Sequence, residues 1–325
     1  MSEGRTEAPP PSRVSVVVPA RNEGARIGKR VEQVLAQACP GWELEVVVAD
    51  DGSKDGTEEA ARRAGARVVR VAPPGSPGNP ARARNRGARA STGDPIVFLD
   101  ADCEPEDGWL ACLLSAHGDG EVCVGGSLAL PEGLSFTARC DYYCGWYHVP
   151  PERPGGYVPS HPPGNLSVRR KVFLETRGFT EIQPVAYAHE ELEWQGELLA
   201  AGMKIRFEPG ARVRHLNRPG LGNLLARNYR WGYSALQAKA LSGAARIPWI
   251  YRHPSLLVVG SLPLAFGSTL HVLRCWIRAR RLEPVLMAPL VLAARLAWSA
   301  GFARGGWRWI RRGRAGTAEY RPRWE

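Results

Sequence analysis

The chain has 325 residues, a formal net charge of +11, and seven cysteines with no CxxC pair. That length suits one large domain or two small ones, and nothing in the composition suggests disorder over most of it. The odd, irregularly spaced cysteines argue against a disulfide framework and fit a reduced, cytoplasmic setting. The polar, Pro-rich opening MSEGRTEAPPPS carries no signal-peptide pattern and reads as a loose tail over residues 1–11.

The positive charge invites a nucleic-acid reading, but its distribution argues against one. Residues 246–325 hold fourteen Arg and three Glu with no Lys or Asp, which accounts for the whole excess, and six of the 11 Trp lie there too. Residues 1–245 therefore sum to zero, and the chain divides into a body over residues 12–245 and a basic, Trp-rich, apolar end over residues 246–325.

Strand and helix signals alternate from the start. Val14–Pro19 is a short β-branched run, and residues 25–37 place Ile27, Val31, Val34 and Leu35 at helical spacing. Residues 44–49 form a second strand, 56–64 a helix, 67–71 a third strand, 81–90 an Ala/Arg-rich helix and 96–99 a fourth strand. Near-continuous apolar strands between helices predict an α/β domain with a parallel sheet covered by helices. Two Pro/Gly-rich stretches, residues 73–80 and 149–164, read as long loops, the second either a lid or merely mobile.

Sheets of this kind bind ligands beyond the carboxyl ends of their strands. Those ends carry PARNE (Pro19–Glu23) after the first strand, DDGSKDGT (Asp50–Thr57) after the second and DADCEP after the fourth. Three strands delivering carboxylates to one edge point to one site. In VFLDADCEP the alternation of an extended chain would aim Asp100 and Asp102 the same way. Like charges that close repel. A solvated acidic turn is one account, and a divalent cation offsetting the repulsion is the other. A cation held by few protein oxygens completes its shell with phosphate and water, so a diphosphate ligand fits. Asp50 and Asp51 can accept hydrogen bonds from a base or ribose, or Asp50 can cap a turn with Ser53 or Asp55 capping the next helix. Arg82, Arg84 and Asn85 stand near a helix start, which suits phosphate. Arg82, Arg86 and Arg89 are expected on a solvated face.

The segments VSVVVPARNE, VVVADDGSKDGT, ARNRGARASTGDPIVFLDADCEP and GNLSVRRKVFLETRGF resemble, in this order, the motifs of family 2 glycosyltransferases, over roughly residues 13–235. The resemblance implies the GT-A fold, a Rossmann-like, mixed, mostly parallel sheet flanked by helices, and a nucleotide-sugar donor. UDP is the first candidate, with GDP and dTDP open. It implies that Pro19, Arg21, Glu23, Asp50 and Asp51 face the nucleobase and ribose and that Arg84 lies by the donor. It further implies that Asp100 and Ala101 lie by the ribose and sugar, and that Asp102 binds Mg²⁺ or Mn²⁺ through the diphosphate. In AHEELEWQGELLAAG the family's general base falls on Glu190-Glu191, with Glu191 the candidate and the choice between the two open. Glu193 and Glu197 read as ordinary helix-start charges. A histidine near His215 joins the metal in several GT-A enzymes, although a lone histidine is more often structural. RNYRW resembles the family's Q/RxxRW motif. There Arg227 and Arg230, as i,i+3 neighbours, would clamp the diphosphate and Trp231 would line an acceptor path. The Arg form leans toward single-sugar transfer.

Two mostly apolar stretches follow, residues 255–273 and 282–303, interrupted by Pro263 and His271 in the first and by Glu283, Pro284, Pro289 and Arg295 in the second. A spanning hairpin and a pair of interfacial helices on anionic lipid are both open. Arginine and tryptophan at their ends suit a membrane interface. The combined expectation is an inverting, metal-dependent glycosyltransferase at the cytoplasmic face of the cell membrane, acting on a lipid-linked or glycan acceptor in cell-envelope glycan synthesis, with no nucleic-acid partner. Its rivals are a non-catalytic basic binder of lipid or nucleic acid and a nucleotidyltransferase.

Overall fold

The computed structural model describes residues 12–37, 39–182, 184–242 and 253–314. The expected tail over residues 1–11 and the expected boundary at residues 245/246 fall outside them. The leading strands and helices form where the sequence periodicity places them: β1 (Ser12–Ala20), α1 (Ile27–Leu35), β2 (Trp42–Asp50), α2 (Thr57–Arg63), β3 (Arg67–Arg70), α3 (Pro80–Ala90) and β4 (Ile96–Leu99). Val16, Val17 and Val18, Val46 to Val48, and Ile96 to Leu99 are buried on both faces of the sheet, which explains their unbroken apolar runs.

β5 (Cys103–Pro105), β6 (Cys123–Ala129), β7 (Gly156–Val158), β8 (Asn165–Val168) and β9 (Ile205–His215) complete a nine-stranded sheet. Its order is β3-β2-β1-β4-β8-β6-β9-β5, with β7 also on β9. β1 runs parallel to β2 and β4, with Ala20 beside Asp50 and Val17 beside Phe98, so three chain reversals open on one edge. Beyond β4 the sheet is mixed: β8 is antiparallel to both β4 and β6, and β9 is parallel to β6. β7 occupies part of the stretch read as a long loop. That stretch is also pinned by buried His161, whose amide donates to Gln195 Oε1 at 2.8 Å and whose carbonyl accepts from Gln195 Nε2 at 2.7 Å. It is anchored backbone rather than a free lid.

α4 (Trp109–Gly118), α5 (Phe136–Gly145), α6 (Arg170–Glu175) and α7 (Leu192–Ala200) pack around the sheet. Phe98, Phe173, Phe179 and Trp194 form an aromatic cluster with ring centroids 4.9–5.3 Å apart, joining β4 to α7 beneath the strand ends. α8 (Leu221–Ser242) then leads toward the C-terminal helices α9 (Pro254–Val259), α10 (Ser261–Arg278), α11 (Glu283–Leu286) and α12 (Ala288–Arg314). α8 and α12 touch backbone to backbone. A Cβ on Gly301 would lie 2.0 Å from the Tyr229 carbonyl oxygen, and one on Gly305 1.9 Å from that of Tyr233. Among the described residues no helix is long and apolar enough to cross a membrane.

Candidate active site

The loops after β1 and β2 are stitched together. The Asn22 amide donates to Ser53 Oγ at 2.9 Å, the Glu23 amide to Thr57 Oγ1 at 2.8 Å, and the Lys54 amide to Asn22 Oδ1 at 2.9 Å. Asn22 itself takes the left-handed conformation, with φ of 54°. These bonds fix the chain from Pro19 to Glu23 against Asp50 and Asp51. The two aspartates then separate in role. Asp50 accepts the Ser53 amide at 2.9 Å and closes the turn, while Asp55 accepts the Thr57 amide at 3.1 Å. Asp51 instead faces the start of α3. It accepts from the Asn79 amide, and Arg82 Nη2 donates to it at 2.6 Å. Arg82 is therefore not the solvated residue its helix position suggests, whereas Arg86 and Arg89 are exposed. Arg21 projects against Gly78, with Nη1 buried and without a hydrogen-bond partner among the described residues. Tyr187, whose hydroxyl donates to the Gly78 carbonyl, closes the same wall, and no sequence motif marks it.

Asp100 and Asp102 do not point the same way. β4 ends at Leu99, and the chain turns at once, with the Cys103 amide donating to the Asp100 carbonyl at 2.9 Å. The alternation of an extended strand thus fails at this point. Asp100 turns inward and accepts from Arg84. Gly164 lies over it so closely that a Cβ there would stand 2.6 Å from Asp100 Oδ2. Ala101 is buried, and its carbonyl accepts from Arg30 Nε at 3.3 Å. Asp102 faces β9, because β5 pairs antiparallel with β9 and sets Cys103 opposite His215. The Leu216 amide donates to the Asp102 carbonyl at 2.8 Å and locks that register.

Asp102 Oδ1 and His215 Nε2 are 3.7 Å apart. Asn217 decides which proton the ring carries: its Nδ2 donates to Asp141 Oδ2 at 2.6 Å, so its Oδ1 accepts from His215 Nδ1 at 3.0 Å. With Nδ1 bonded to Asn217, Nε2 faces the carboxylate and is placed to ligate a cation held between the two. Two donors each about 2.1 Å from one ion lie roughly 3.0–3.6 Å apart, which this spacing nearly matches. Burial opposes ionisation of Asp102, but His215, Arg227 and Arg218 outweigh it and hold the carboxyl below its usual range. Cys103 also lies within 4.8 Å of both groups. Its burial, with the Asp102 and Asp100 charges, pushes the thiol well above its usual value, which disfavours the thiolate a metal needs. An oxygen and an imidazole nitrogen, oriented by Asn217, fit a divalent cation. Glu23 borders this charge: burial raises its carboxyl, Arg26 opposes that, and Asp102 adds to it.

Glu190 and Glu191 are both buried immediately before α7, which begins at Leu192 rather than at the glutamates. Arg84 Nη1 donates to Glu190 Oε1 at 2.5 Å, and its Nη2 donates to Asp100. Burial works against the Arg84 charge, but Asp100 and Glu190 together raise its pKa further. Burial pushes the Glu190 carboxyl up and Arg84 counters it. Glu191 has no such counter-ion in contact. Its Oε2 is buried without a hydrogen-bond partner among the described residues, and burial reinforced by the Glu190 charge pushes its carboxyl up to about 8. Glu193, read as an ordinary helix-start charge, lies in the first turn of α7 but is buried there, accepting from Thr180 Oγ1 at 2.6 Å and from Arg177. Glu197 pairs with Arg177 at 2.7 Å.

In RNYRW the structure joins Arg227 to Trp231, not to Arg230. Arg227 donates to Asp141 and lies 5.0 Å from the Trp146 ring and 4.3 Å from the Trp231 ring. Trp146 in turn packs on His215 at 4.8 Å and on Trp231 at 5.7 Å. Arg230 is exposed, and its guanidinium makes no ion pair or hydrogen bond among the described residues. Asp141, Asn217 and Trp146 bind these groups into one cluster and carry no motif. The nearest clue in the sequence is that Asn217 follows His215 by two residues.

The Glycosyl transferase family 2 model matches residues 15–174. The pre-mycofactocin glycosyltransferase of Mycobacterium tuberculosis is 29% identical over 309 residues, an overlap that covers 88% of this chain and 62% of that one. The chain therefore spans less than two thirds of that relative. Glycosyltransferase AglE of Haloferax volcanii is 28% identical, covering 77% of this chain and 81% of its own length. Among solved structures, the mannosyltransferase PcManGT from Pyrobaculum calidifontis, in complex with GDP-Man and Mn²⁺, superposes over 92% of this chain and 88% of its own. The TM-score is 0.62 at 20% identity, a likeness of fold. With the mixed sheet and the ordered motifs at its edge, these matches place residues 15–174 in glycosyl transferase family 2, on the GT-A fold.

Proposed function

We propose that this chain transfers one sugar from a nucleoside-diphosphate sugar to a hydroxyl acceptor, with inversion at the anomeric carbon. The observation that carries the reading is the division of the two buried acids, Glu190 and Glu191, and the half-buried Asp100. Arg84 holds Asp100 and Glu190, and leaves Glu191 with a free oxygen at the strand edge. Glu191 takes the acceptor proton as the hydroxyl oxygen attacks the anomeric carbon, and the diphosphate departs on the opposite face. Asp51, Arg21 and the stitched loops bind the nucleoside. Asp102 and His215 would hold Mg²⁺ or Mn²⁺, which supplies charge stabilisation for the leaving diphosphate. Trp146 and Trp231 offer an apolar wall beside that position.

The donors to test first are UDP-sugars, followed by GDP-mannose, the ligand of the Pyrobaculum neighbour. The site of action in this reading is the cytoplasmic face of the membrane, on an acceptor carried by lipid or glycan. The test is turnover and binding across nucleotide sugars with Mn²⁺ or Mg²⁺, then with EDTA, beside Asp102→Asn. Metal-dependent use of one donor, lost in the variant, supports the reading. Absence of binding to every donor overturns it.

A further inference from the structure

We propose that the C-terminal helices form a docking surface for an anionic phospholipid bilayer, lying on it rather than crossing it. α10 carries two stripes. Ser261, Ala265, Thr269, Val272 and Trp276 face inward and are buried. One residue further on, Leu262, Phe266, Leu270, Leu273 and Ile277 repeat the same helical spacing. Of these, Leu262, Phe266, Leu270 and Ile277 are exposed, with Phe266 at 53%. At about 100° per residue the second stripe lies roughly a quarter-turn from the first, and Arg274 and Arg278 lie about as far round again. Val259 at the end of α9, and Leu282 and Leu286 around α11, add further exposed apolar groups, Leu286 at 83%. Neighbouring apolar side chains left open in this way mark an interaction surface.

The charges around the strip choose the occupant. Arg274, Arg278 and Arg280 are exposed and make no ion pair among the described residues. Their long stems can follow the apolar strip while the guanidiniums reach phosphate. Residues 246–325 carry the entire net positive charge of the chain. A second copy would set this charge against itself, whereas an anionic lipid surface complements it at about 1 kcal/mol per basic residue. An apolar face bordered by arginine, on helices too short or too interrupted to span, is the pattern of a helix lying in the interface.

The surface is joined rigidly to the site. Trp276 Nε1 on α10 donates to the Tyr143 carbonyl at 2.9 Å, and the Tyr143 hydroxyl donates to Glu283 on α11 at 2.6 Å. Both contacts fall on α5, which also carries Asp141, the partner of Asn217 and Arg227. Docking would therefore hold the strand edge at a fixed attitude to the lipid.

The test is co-sedimentation of the full chain with vesicles of equal parts phosphatidylcholine and phosphatidylglycerol, and with pure phosphatidylcholine. The variants are Phe266→Glu/Leu270→Glu and Arg274→Glu/Arg278→Glu, each checked by circular dichroism and thermal unfolding. The wild type should partition onto the anionic vesicles and only weakly onto the neutral ones. Each double variant should lose about tenfold or more of that partitioning while still unfolding cooperatively. Equal partitioning of wild type and Phe266→Glu/Leu270→Glu would overturn the proposal. So would a dimer in vesicle-free buffer that the same substitution splits. Vesicle binding uses no donor, so a chain that docks without turning over any nucleotide sugar refutes the transfer reading and leaves this one standing.

Discussion

Glu190 and Glu191 are adjacent in the chain and both buried, yet Arg84 bonds only the first, at 2.5 Å to its Oε1, while Glu191 Oε2 has no partner among the described residues. Arg84 already bridges Glu190 and Asp100, so Glu190 is committed to structure and Glu191 is available for chemistry. Glu191→Gln should lower turnover about 10²–10⁴-fold with donor binding retained, the range for loss of a general base. Glu190→Gln should act differently, by loosening Arg84 and Asp100, and should weaken donor binding and stability together. Isothermal titration with the donor, beside turnover, separates the two. Full activity in Glu191→Gln would sink the assignment.

The raised carboxyl of Glu191 gives a pH signature. The base must be ionised, so turnover should climb with pH toward a plateau above about 8 and fall away below it. Stability should run the other way. A carboxyl whose folded pKa is raised stabilises the fold fully below its unfolded value, near 4.5, and loses that contribution as pH rises through about 8. Glu191→Gln should therefore unfold at a higher temperature than the wild type at alkaline pH. The gap should correspond to about 2–4 kcal/mol and close toward acid pH. Thermal melts across pH provide the check, and a gap that stays constant with pH would contradict the burial of an ionisable group here.

Much of this was legible from residues alone, and the failures share a cause. The strands from Val14 to Leu99 announce themselves because both of their faces are buried, which makes their apolar runs continuous. The carboxylates at their ends stand out against those runs. The sequence could not show that the chain turns at Asp100, because the turn is set by β5 pairing with β9, more than a hundred residues later. The partner of Arg82 and the burial of Glu193 were hidden for the same reason. A helical position tells which residues share a face, but whether that face meets Asp51, Thr180 or solvent depends on distant segments. Asp141 and Asn217 look ordinary in sequence and acquire roles only through each other.

The Asn217 side chain orients His215, and its removal should act on metal affinity before it acts on stability. Loss of such an orienting hydrogen bond typically costs about 10–100-fold in affinity. Asn217→Ala should weaken Mn²⁺ binding by that order, and Asp102→Asn or His215→Ala by more. Titration calorimetry of the free protein with Mn²⁺ measures this without turnover. Unchanged affinity in Asn217→Ala would mean that the ring orientation is fixed elsewhere.

Arg227 and Arg230 should separate cleanly. Arg227→Ala removes the guanidinium between two indoles and takes one partner from buried Asp141, which should destabilise by about 2–4 kcal/mol. Arg230→Ala, at an exposed position whose guanidinium has no partner among the described residues, should stay within about 0.5 kcal/mol. Denaturant unfolding followed by tryptophan fluorescence compares them. Equal effects would show that Arg230 makes a fold contact as strong as that of Arg227.

The seam between α8 and α12 supports the Arg227–Trp231 cluster from behind, so damage there should reach the site indirectly. Gly301 leaves no room for a side chain: a Cβ would sit 2.0 Å from the Tyr229 carbonyl oxygen, backbone that cannot swing aside. Gly301→Ala must push the two helices apart, at about 1–3 kcal/mol for overpacking, even though alanine favours helix more than glycine does. Tyr229 lies two residues from both Arg227 and Trp231, so the displaced turn of α8 carries these side chains with it. The expected result is a lower unfolding temperature together with weakened acceptor use, while Mn²⁺ affinity, set by Asp102, His215 and Asn217, changes little. A variant at least as stable as the wild type would show that the helices separate without strain and that the seam does not position α8.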